Sequence, residues 1–480
     1  MEALERARRA VVRWRGSEAE AALAAARGAE RVAVRYPGPA AVEAFCEAKG
    51  ELPPAERDAL AAHLAAGVAE RALRPGREAL AVALEAPVAG RRGPVPWRRA
   101  LEALFDGPEP GRDRRVLGAA EAGAGPLAER LAEARSAADD AARRALSAME
   151  PGRHADAGPA AGDGAAAWLD ATEDLWAAER SAWGIGRDLG ALLRALRAAE
   201  LDGPLEAERR ARWKRLGALW RPLGLEGVLA ERARVEAPHG LGDPAPRLCL
   251  PRPREVRILP GFAPGLFGEL LAARAVGRAL GHALVSPALP HALRRPVVGT
   301  VPRALGQLLA QRLAEPGLWR ARGLGAGEAE RMGRRSAGIL LLLSRVDAAA
   351  ALARGLRDPS GRGGGLLLAG DAADAPVVGE RCRELAERAL GVALPEALAR
   401  LLLHTPSRGR VRLRAARGGY ALWAALRERF DEDWFRNPRS AEVLRGAAER
   451  GGGLAVEGWL EELGGDADAA AAARALELGP

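Results

Sequence analysis

The spacing of apolar residues predicts a chain built mainly from α-helices. Apolar positions recur at helical spacing in seven segments, which are residues 55–73, 126–149, 165–183, 205–223, 263–285, 301–313 and 336–356. The first of these follows the pair Pro53-Pro54, which can open a helix. In residues 165–183, Trp168, Trp176 and Trp183 follow each other at spacings of 8 and 7. These spacings predict one helical face directed into a core.

Other segments interrupt the helical pattern. Residues 247–259 (RLCLPRPREVRIL) predict two short strands around a proline break, and so a small β element just before residue 263. Residues 91–96 (RRGPVP) predict a turn between two apolar segments. Residues 359–371 (PSGRGGGLLLAGD) have neither the GK[ST] ending of a phosphate loop nor a dinucleotide fingerprint, so they predict a surface loop.

The domain organisation is predicted from one composition change. Residues 151–164 (PGRHADAGPAAGDG) are rich in Gly, Pro and Asp and are the best candidate for a boundary. This boundary divides the chain into an N-terminal helical region (1–150), a larger helical domain (165–465) and a C-terminal tail (466–480). Apolar residues make up 48% and charged residues 28% of the 480 residues, which is typical of a soluble globular protein with a sizeable core.

The positive charge of the chain comes almost entirely from arginine. The formal net charge is +9, and only Lys49 and Lys214 are lysines. Abundant Ala, Gly and Arg are explained most simply by a GC-rich genome, although a basic chain is also the footprint of a nucleic-acid-binding protein. Because the arginines alternate with glutamates along helical segments, they predict solvated faces with i,i+4 pairs. Nucleic acid is therefore the less favoured partner.

The cysteines and the apolar runs indicate the compartment. Cys46, Cys249 and Cys382 are far apart and show no CxxC spacing, so neither a disulfide framework nor a cysteine zinc site is predicted. The N-terminal residues (MEALERARRAVVRW) have no apolar core of the kind that a secretory signal needs. The longest strongly apolar run, residues 338–343, is too short to span a bilayer. A cytoplasmic location with no membrane partner is expected.

Three segments of the C-terminal half resemble a known family. They are PRLCLPRPREVRILPG leading into AARAVGRALGHAL, then SPALPHALRRPVVGTVPRALGQLLAQRLAEPGLW, and LRERFDEDWFRNPRSAEVLRGAAERGGGLAVEGWLEELG. As an ordered set they resemble the thimet oligopeptidase and oligoendopeptidase F family of zinc metallopeptidases, which are of the gluzincin type. The resemblance extends from about residue 240 to 465 and is weaker from about 60 to 240. It implies a mainly α, zincin-like scaffold.

The resemblance also implies which residues should carry the chemistry. The family's HExxH motif holds zinc with two histidines at i and i+4, and the glutamate acts as general base on the zinc-bound water. In this chain the motif aligns with residues 278–282, where Arg278 replaces the first histidine, Ala279 replaces the base and only His282 remains. The third ligand of the family aligns with Arg303, and its late oxyanion tyrosine falls near Arg412.

These replacements predict that zinc and peptidase activity are lost. An arginine offers no lone pair to a metal and stays protonated. No catalytic residue is therefore predicted, and His282 is expected to be a core histidine rather than a remnant ligand. Arg278 and Arg303 are the candidate binding residues, because two guanidiniums can hold a carboxylate or phosphate, unless acidic residues of the chain pair with them.

The predicted function is therefore that of a non-catalytic peptidase homologue that binds a peptide, a protein partner or an anionic ligand in the former cleft. Two alternatives stay open. One is an active metallopeptidase with an atypical metal site around His282, into which His291 could be recruited. The other is an arginine-rich nucleic-acid-binding protein. The sequence contains no GxSxG motif and no other constellation of histidines that would support a second active site.

Overall fold

The computed structural model describes the chain in fourteen stretches. These are residues 2–26, 33–90, 93–96, 110–149, 160–197, 212–236, 245–252, 255–261, 263, 265–295, 299–355, 375–404, 409–466 and 468–477. The predicted surface loop at 359–371 lies outside the described residues, as do residues 151–159 of the predicted boundary.

Helices dominate the described stretches, with five short strands among them. The N-terminal elements are α1 (Glu2–Ala26), α2 (Pro39–Ala48), α3 (Pro54–Glu85), β1 (Pro87–Gly90), β2 (Gly93–Pro96), α4 (Pro110–Met149), α5 (Ala160–Ala171), α6 (Glu173–Ala182) and α7 (Leu189–Arg197). The central elements are α8 (Arg212–Ala218), α9 (Glu226–Arg232), β3 (Ala233–Val235), β4 (Arg247–Arg252), β5 (Glu255–Leu259), α10 (Gly265–Leu284), α11 (His291–Arg294), α12 (Thr300–Gln311) and α13 (Pro316–Ala321). The C-terminal elements are α14 (Ala326–Gly355), α15 (Ala375–Leu390), α16 (Glu396–His404), α17 (Gly409–Phe430), α18 (Pro438–Glu449), α19 (Val456–Glu462) and α20 (Ala469–Glu477).

The chain forms two compact units, each from separate segments. The first unit consists of Met1–Gly67, Leu201–Leu340 and Arg414–Pro480, and the second of Val68–Glu200 and Leu341–Leu413. This division follows spatial contacts and differs from the division at 151–164, which stays a prediction. Composition shows where a chain is rich in Gly and Pro, but not which distant segments return to pack together.

In the first unit, α10 is the central helix. Fifteen of its twenty residues are buried, which is more than a helix with a single apolar face would bury. The three-stranded sheet, in the order β3-β5-β4, packs against α10. Strands β3 and β5 are parallel, and β5 and β4 are antiparallel. The small β element before the helix is confirmed.

In the second unit, a buried arginine joins three helices. Arg345 of α14 is fully buried, and all five of its N–H donors have acceptors. Its Nη2 atom bonds Glu173 (2.6 Å) and the Arg388 carbonyl (2.8 Å), and its Nε bonds the Ala389 carbonyl (3.2 Å). Its Nη1 atom bonds Thr172 Oγ1 at 2.9 Å and the Leu169 carbonyl at 3.1 Å.

This arginine explains a difference from the sequence prediction. The single helix predicted over 165–183 is two helices, α5 and α6, separated at Thr172. The Thr172 hydroxyl donates to the Trp168 carbonyl at 2.6 Å while it accepts from Arg345. Trp168 and Trp176 are fully buried as predicted, whereas Trp183 is only partly buried and packs edge-on against Trp176. Helix α5 also begins at Ala160, inside the predicted loop.

One described helix is long and apolar enough to span a bilayer by length and composition. Within Ala326–Ala353, a window of 18 residues has a mean hydropathy of 1.6. Since 78% of the window is buried, it is typical of a core helix. It extends beyond the six-residue apolar run of the sequence because the flanking alanines add to the hydropathy.

The contact between α10 and α12 depends on three glycines. A Cβ on Gly277 would lie 2.7 Å from the Gly306 Cα, and a Cβ on Gly281 would lie 2.7 Å from the Pro302 Cα. Gly306 in turn faces α10, where a Cβ would meet the Arg278 Cγ at 2.9 Å. The two backbones therefore approach more closely than any side chain would allow.

We expect Gly277→Ala to destabilise the protein by about 1–3 kcal/mol, because its methyl group overpacks the contact between the two helices. The matched control is Gly446→Ala in α18, where nothing lies within 4 Å of the new Cβ. It should be neutral or stabilising by about 0.5–1 kcal/mol through helix propensity. The melting temperature of Gly277→Ala should fall, while that of Gly446→Ala should stay the same or rise. Equal shifts in the two variants would contradict the close approach of the helices.

Candidate functional site

Two of the residues predicted to form the site, Arg278 and His282, lie on the one face of α10 that is not buried. The five residues of this helix outside its core are Phe267, Leu271, Arg274, Arg278 and His282. They follow each other at spacings of 4, 3, 4 and 4, so they form a single half-buried stripe along the helix. Ala279, at the position of the base, is fully buried.

Helix α12 presents one comparable position. Eleven of its twelve residues are buried, and the exception is Arg303. The Arg303 Nη1 atom donates to the Gly299 carbonyl at 2.7 Å. One turn further along, Gln307 Oε1 accepts from Arg274 Nε at 3.1 Å and from Arg274 Nη2 at 2.6 Å. This pair joins the two helices beside the stripe, and the sequence did not predict it.

His282 lies among cations. Burial lowers its pKa to about 3, and the positive charges of Arg278, Arg303 and Arg295 add to this effect. The imidazole is therefore neutral at pH 7. Its Nδ1 atom is buried and has no hydrogen-bond partner among the described residues. Arg295, on the link between α10 and α12, is a further cation at this site that the alignment did not identify.

The N-terminal end of α10 is held by a buried carboxylate. Glu269 is fully buried, and its oxygens lie 3.0 Å from Arg212, 2.7 Å from Arg215 and 3.7 Å from Arg322. At the other end, Arg232 Nη1 donates to the Ala283 carbonyl at 2.6 Å and so satisfies one of the last carbonyls of the helix. Both contacts hold the stripe in place without using its residues.

Two further candidates from the sequence lie elsewhere. Arg412, which aligned with the family's tyrosine, belongs to the second unit and pairs there with Asp347 at 3.1 Å. His291 begins α11 in the first unit, where its ring centroid lies 6.5 Å from that of His63. Burial and the charges of Arg295, Arg294 and Arg15 lower the His291 pKa to about 4.

The residues present do not fit the zinc ion that the resemblance implies. His282 supplies the one imidazole of the stripe, while the two positions that the resemblance aligns with the other ligands carry guanidiniums, which cannot coordinate a metal. Among the residues that the structure describes, no three His, Cys, Asp or Glu side chains come together as metal ligands would. The positive charge at Arg278, Arg303 and Arg295 opposes a divalent cation at this site.

The comparison with solved structures shows the fold. The chain is similar to a protein assigned as an oligoendopeptidase F from Bacillus anthracis str. Ames, with a TM-score of 0.58 and 10% identity over 91% of this chain and 76% of that one. It is similar to PZ peptidase A, with a TM-score of 0.57 and 11% identity over 88% and 80%. An M32 carboxypeptidase from Deinococcus radiodurans R1 gives a TM-score of 0.50 and 15% identity over 96% of both chains.

These similarities define a mainly α-helical, zincin-like metallopeptidase fold. The predicted fold class is confirmed, and so is the predicted likeness to oligoendopeptidase F at the level of the fold. The sequence matches no family model, and no curated protein matches it. Identities of 10–15% establish the fold and leave the activity to be argued from the site.

The neutral histidines predict how stability depends on pH. Burial lowers the pKa of His63 and of His282 to about 3, well below the value of an unfolded chain. Unfolding therefore takes up protons below about pH 6.5, so the free energy of unfolding falls as the pH is lowered from there. We expect His282→Gln to reduce this slope by about 1.4 kcal/mol per pH unit, the contribution of one proton.

Urea unfolding at about pH 6.5 and about pH 4.5 measures this slope. His63→Gln is the matched variant, because that histidine is also buried but lies off the stripe. Each single variant should lose a similar part of the slope, and the double variant should lose both parts. A wild-type slope retained in His282→Gln would mean that His282 is already protonated in the folded protein.

Proposed function

We propose that this protein is a non-catalytic homologue of the oligoendopeptidase-type metallopeptidases that binds a peptide or another anionic ligand through the former active-site stripe. One observation supports the proposal most directly. The half-buried stripe of α10 and the one open position of α12 carry Arg278 and Arg303 where the resemblance implies zinc ligands.

The loss of catalysis follows from the chemistry of the replaced groups. General-base assistance is typically worth 10²–10⁴ in rate, and Ala279 cannot accept a proton from water. Without a bound zinc ion, the water keeps its ordinary pKa and the scissile carbonyl is not polarised. Together these losses leave no route to peptide hydrolysis on this stripe.

The stripe still has groups that can bind a ligand. Phe267 and Leu271 provide half-buried apolar surface, and Arg278 and Arg303 provide donors suited to carboxylate or phosphate. Binding of this kind needs no metal. A carboxylate near these arginines would take the place that a scissile carbonyl occupies in an active enzyme.

The active-peptidase alternative depends on His282, whose neutral ring is in the protonation state that a metal needs. It requires ligands beyond the stripe, and the nearby guanidiniums disfavour it. The nucleic-acid alternative is supported by the arginine content alone, and a steep salt dependence of nucleic-acid affinity would be its signature. A cytoplasmic location stays a prediction.

We expect the purified protein to contain far less than one zinc ion per chain, because two of the three ligand positions are cationic. Elemental analysis after dialysis against zinc measures this. The triple change Arg278→His, Ala279→Glu and Arg303→Glu restores the family pattern and should bring zinc to about one ion per chain. A stoichiometric zinc ion in the wild-type protein that disappears in His282→Ala would refute the proposal.

We expect an acidic peptide to bind more tightly than its Gln-substituted counterpart. The double change Arg278→Ala with Arg303→Ala should weaken only the acidic peptide, since each lost charge-assisted bond costs about 1.5–3 kcal/mol. Fluorescence of the eleven tryptophans can follow the titration. The matched control is Arg439→Ala with Arg445→Ala, which removes the same charge from exposed positions of α18. Equal binding of both peptides would rule out recognition of anions by the stripe.

A further inference from the structure

A second feature of the first unit lies away from the stripe. A hollow of about 600 Å³ opens between α1 and residues 288–292. Arg9 and Arg13 of α1 lie on one wall, and His291 and Ala292 lie on the other. Its volume is within the range of small-molecule sites in proteins, roughly 300–1,000 Å³.

The charged residues that line the hollow are mostly arginines, with Arg6, Arg8, Arg9 and Arg13 against Glu5 and Glu56. Arg8 is committed to carboxylates, because its Nη2 lies 2.6 Å from Glu56 and its Nη1 lies 3.3 Å from Glu5. Arg9 and Arg13 are not committed in this way. Their Nε atoms donate only to carbonyls one turn back, that of Glu5 at 3.1 Å and that of Arg9 at 3.3 Å. Within the described part of the chain, neither guanidinium forms an ion pair.

One wall of the hollow is held in place by a buried histidine. His63 Nε2 lies 3.1 Å from the Ala292 carbonyl, and its Nδ1 lies 3.5 Å from Arg15 Nη2. Because a carbonyl can only accept, Nε2 carries the proton, and Nδ1 accepts from the arginine. The ring is neutral, since burial and the charge of Arg15 lower its pKa to about 3. His63 thus positions the 291–292 segment and adds no charge of its own.

Behind His291 lies a group of cations with too few counter-charges. Arg15, Arg294 and Arg295 all act on His291, and Arg15 and Arg294 also act on Arg295. Arg15 pairs with Glu18 at 2.9 Å. Arg295 is half-buried, and among the described residues no carboxylate pairs with it. Burial and the two neighbouring arginines lower its pKa to about 10.

Buried polar atoms around His291 have no partners either. Among the described residues, His291 Nδ1 and Arg294 Nε are buried and make no hydrogen bond. Buried cations and buried donors are costly unless a partner compensates them. An anion in the hollow would bring negative charge next to His291 and so lower the repulsion among these cations.

We propose that the hollow between α1 and residues 288–292 binds a small polyanion, held by Arg9 and Arg13 and attracted by the positive field of Arg15, Arg294 and Arg295 behind His291. The ligand carries two or more phosphate or carboxylate groups, because guanidiniums bind these groups bidentately and several are present. The residues that would contact the ligand, Arg9 and Arg13, lie outside the α10 stripe, although the field of Arg295 acts on both sites.

Isothermal titration of the full chain with pyrophosphate and with citrate tests the proposal and distinguishes the two oxyanion chemistries. We expect at least one of them to bind, and Arg9→Gln with Arg13→Gln to weaken it at least about tenfold, which corresponds to about 1.4 kcal/mol. Both positions are exposed on α1, so this variant should fold. Arg295→Gln should lower the affinity for the same ligand by a smaller factor, because Arg295 acts on the ligand through its positive field and not by direct contact.

Two controls separate this site from general attraction and from the stripe. Arg439→Gln with Arg445→Gln removes the same charge from exposed positions of α18 and should change the affinity by less than about twofold at constant ionic strength. Arg278→Gln with Arg303→Gln should likewise leave pyrophosphate and citrate binding nearly unchanged. The proposal is overturned if neither anion binds, if the α18 control loses as much affinity as the α1 variant, or if only oligonucleotides or acidic peptides bind.

Discussion

The site geometry depends on the close backbone contact between α10 and α12. Gly277, Gly281 and Gly306 remove the side chains that would otherwise separate the two helices. Because the backbones touch, α12 brings its one open residue, Arg303, to the half-buried stripe of α10. A methyl group in this contact would move Arg303 away from His282, so the packing of small residues determines the electrostatics of the site.

Charge is distributed differently in the scaffold and around the histidines. Where the scaffold buries a charge, it surrounds that charge with partners, as Glu269 with three arginines and Arg345 with acceptors for all five donors show. Near His282 and His291 the charged residues that act on the two rings are arginines. Among the described residues, Arg295 has no carboxylate partner. Since an uncompensated buried charge is costly, this imbalance favours external anions over a purely structural role.

The same geometry explains how residues of the stripe can vary while the fold persists. Arg278, His282 and Arg303 lie at the positions of α10 and α12 that are not packed into the core. Substitutions at half-buried positions cost little stability compared with changes in a packed core. A scaffold of this kind can therefore carry guanidiniums at these positions and keep its helices and its sheet.

The sequence by itself determined the helices near 263–285, 301–313 and 336–356, the strands of 247–259 and the residue types at positions 278, 279, 282 and 303. These features depend on the spacing of apolar residues and on prolines within a few residues of each other, so a short stretch of sequence is enough to predict them. Only the tertiary structure decided that Thr172 divides a predicted helix, because its hydroxyl bonds Arg345 from a distant segment. It also decided that Arg15 and Arg295 meet beside His291. Charges so far apart in the chain interact only after packing brings their segments together. A local sequence pattern does not predict the distance between them in the folded protein.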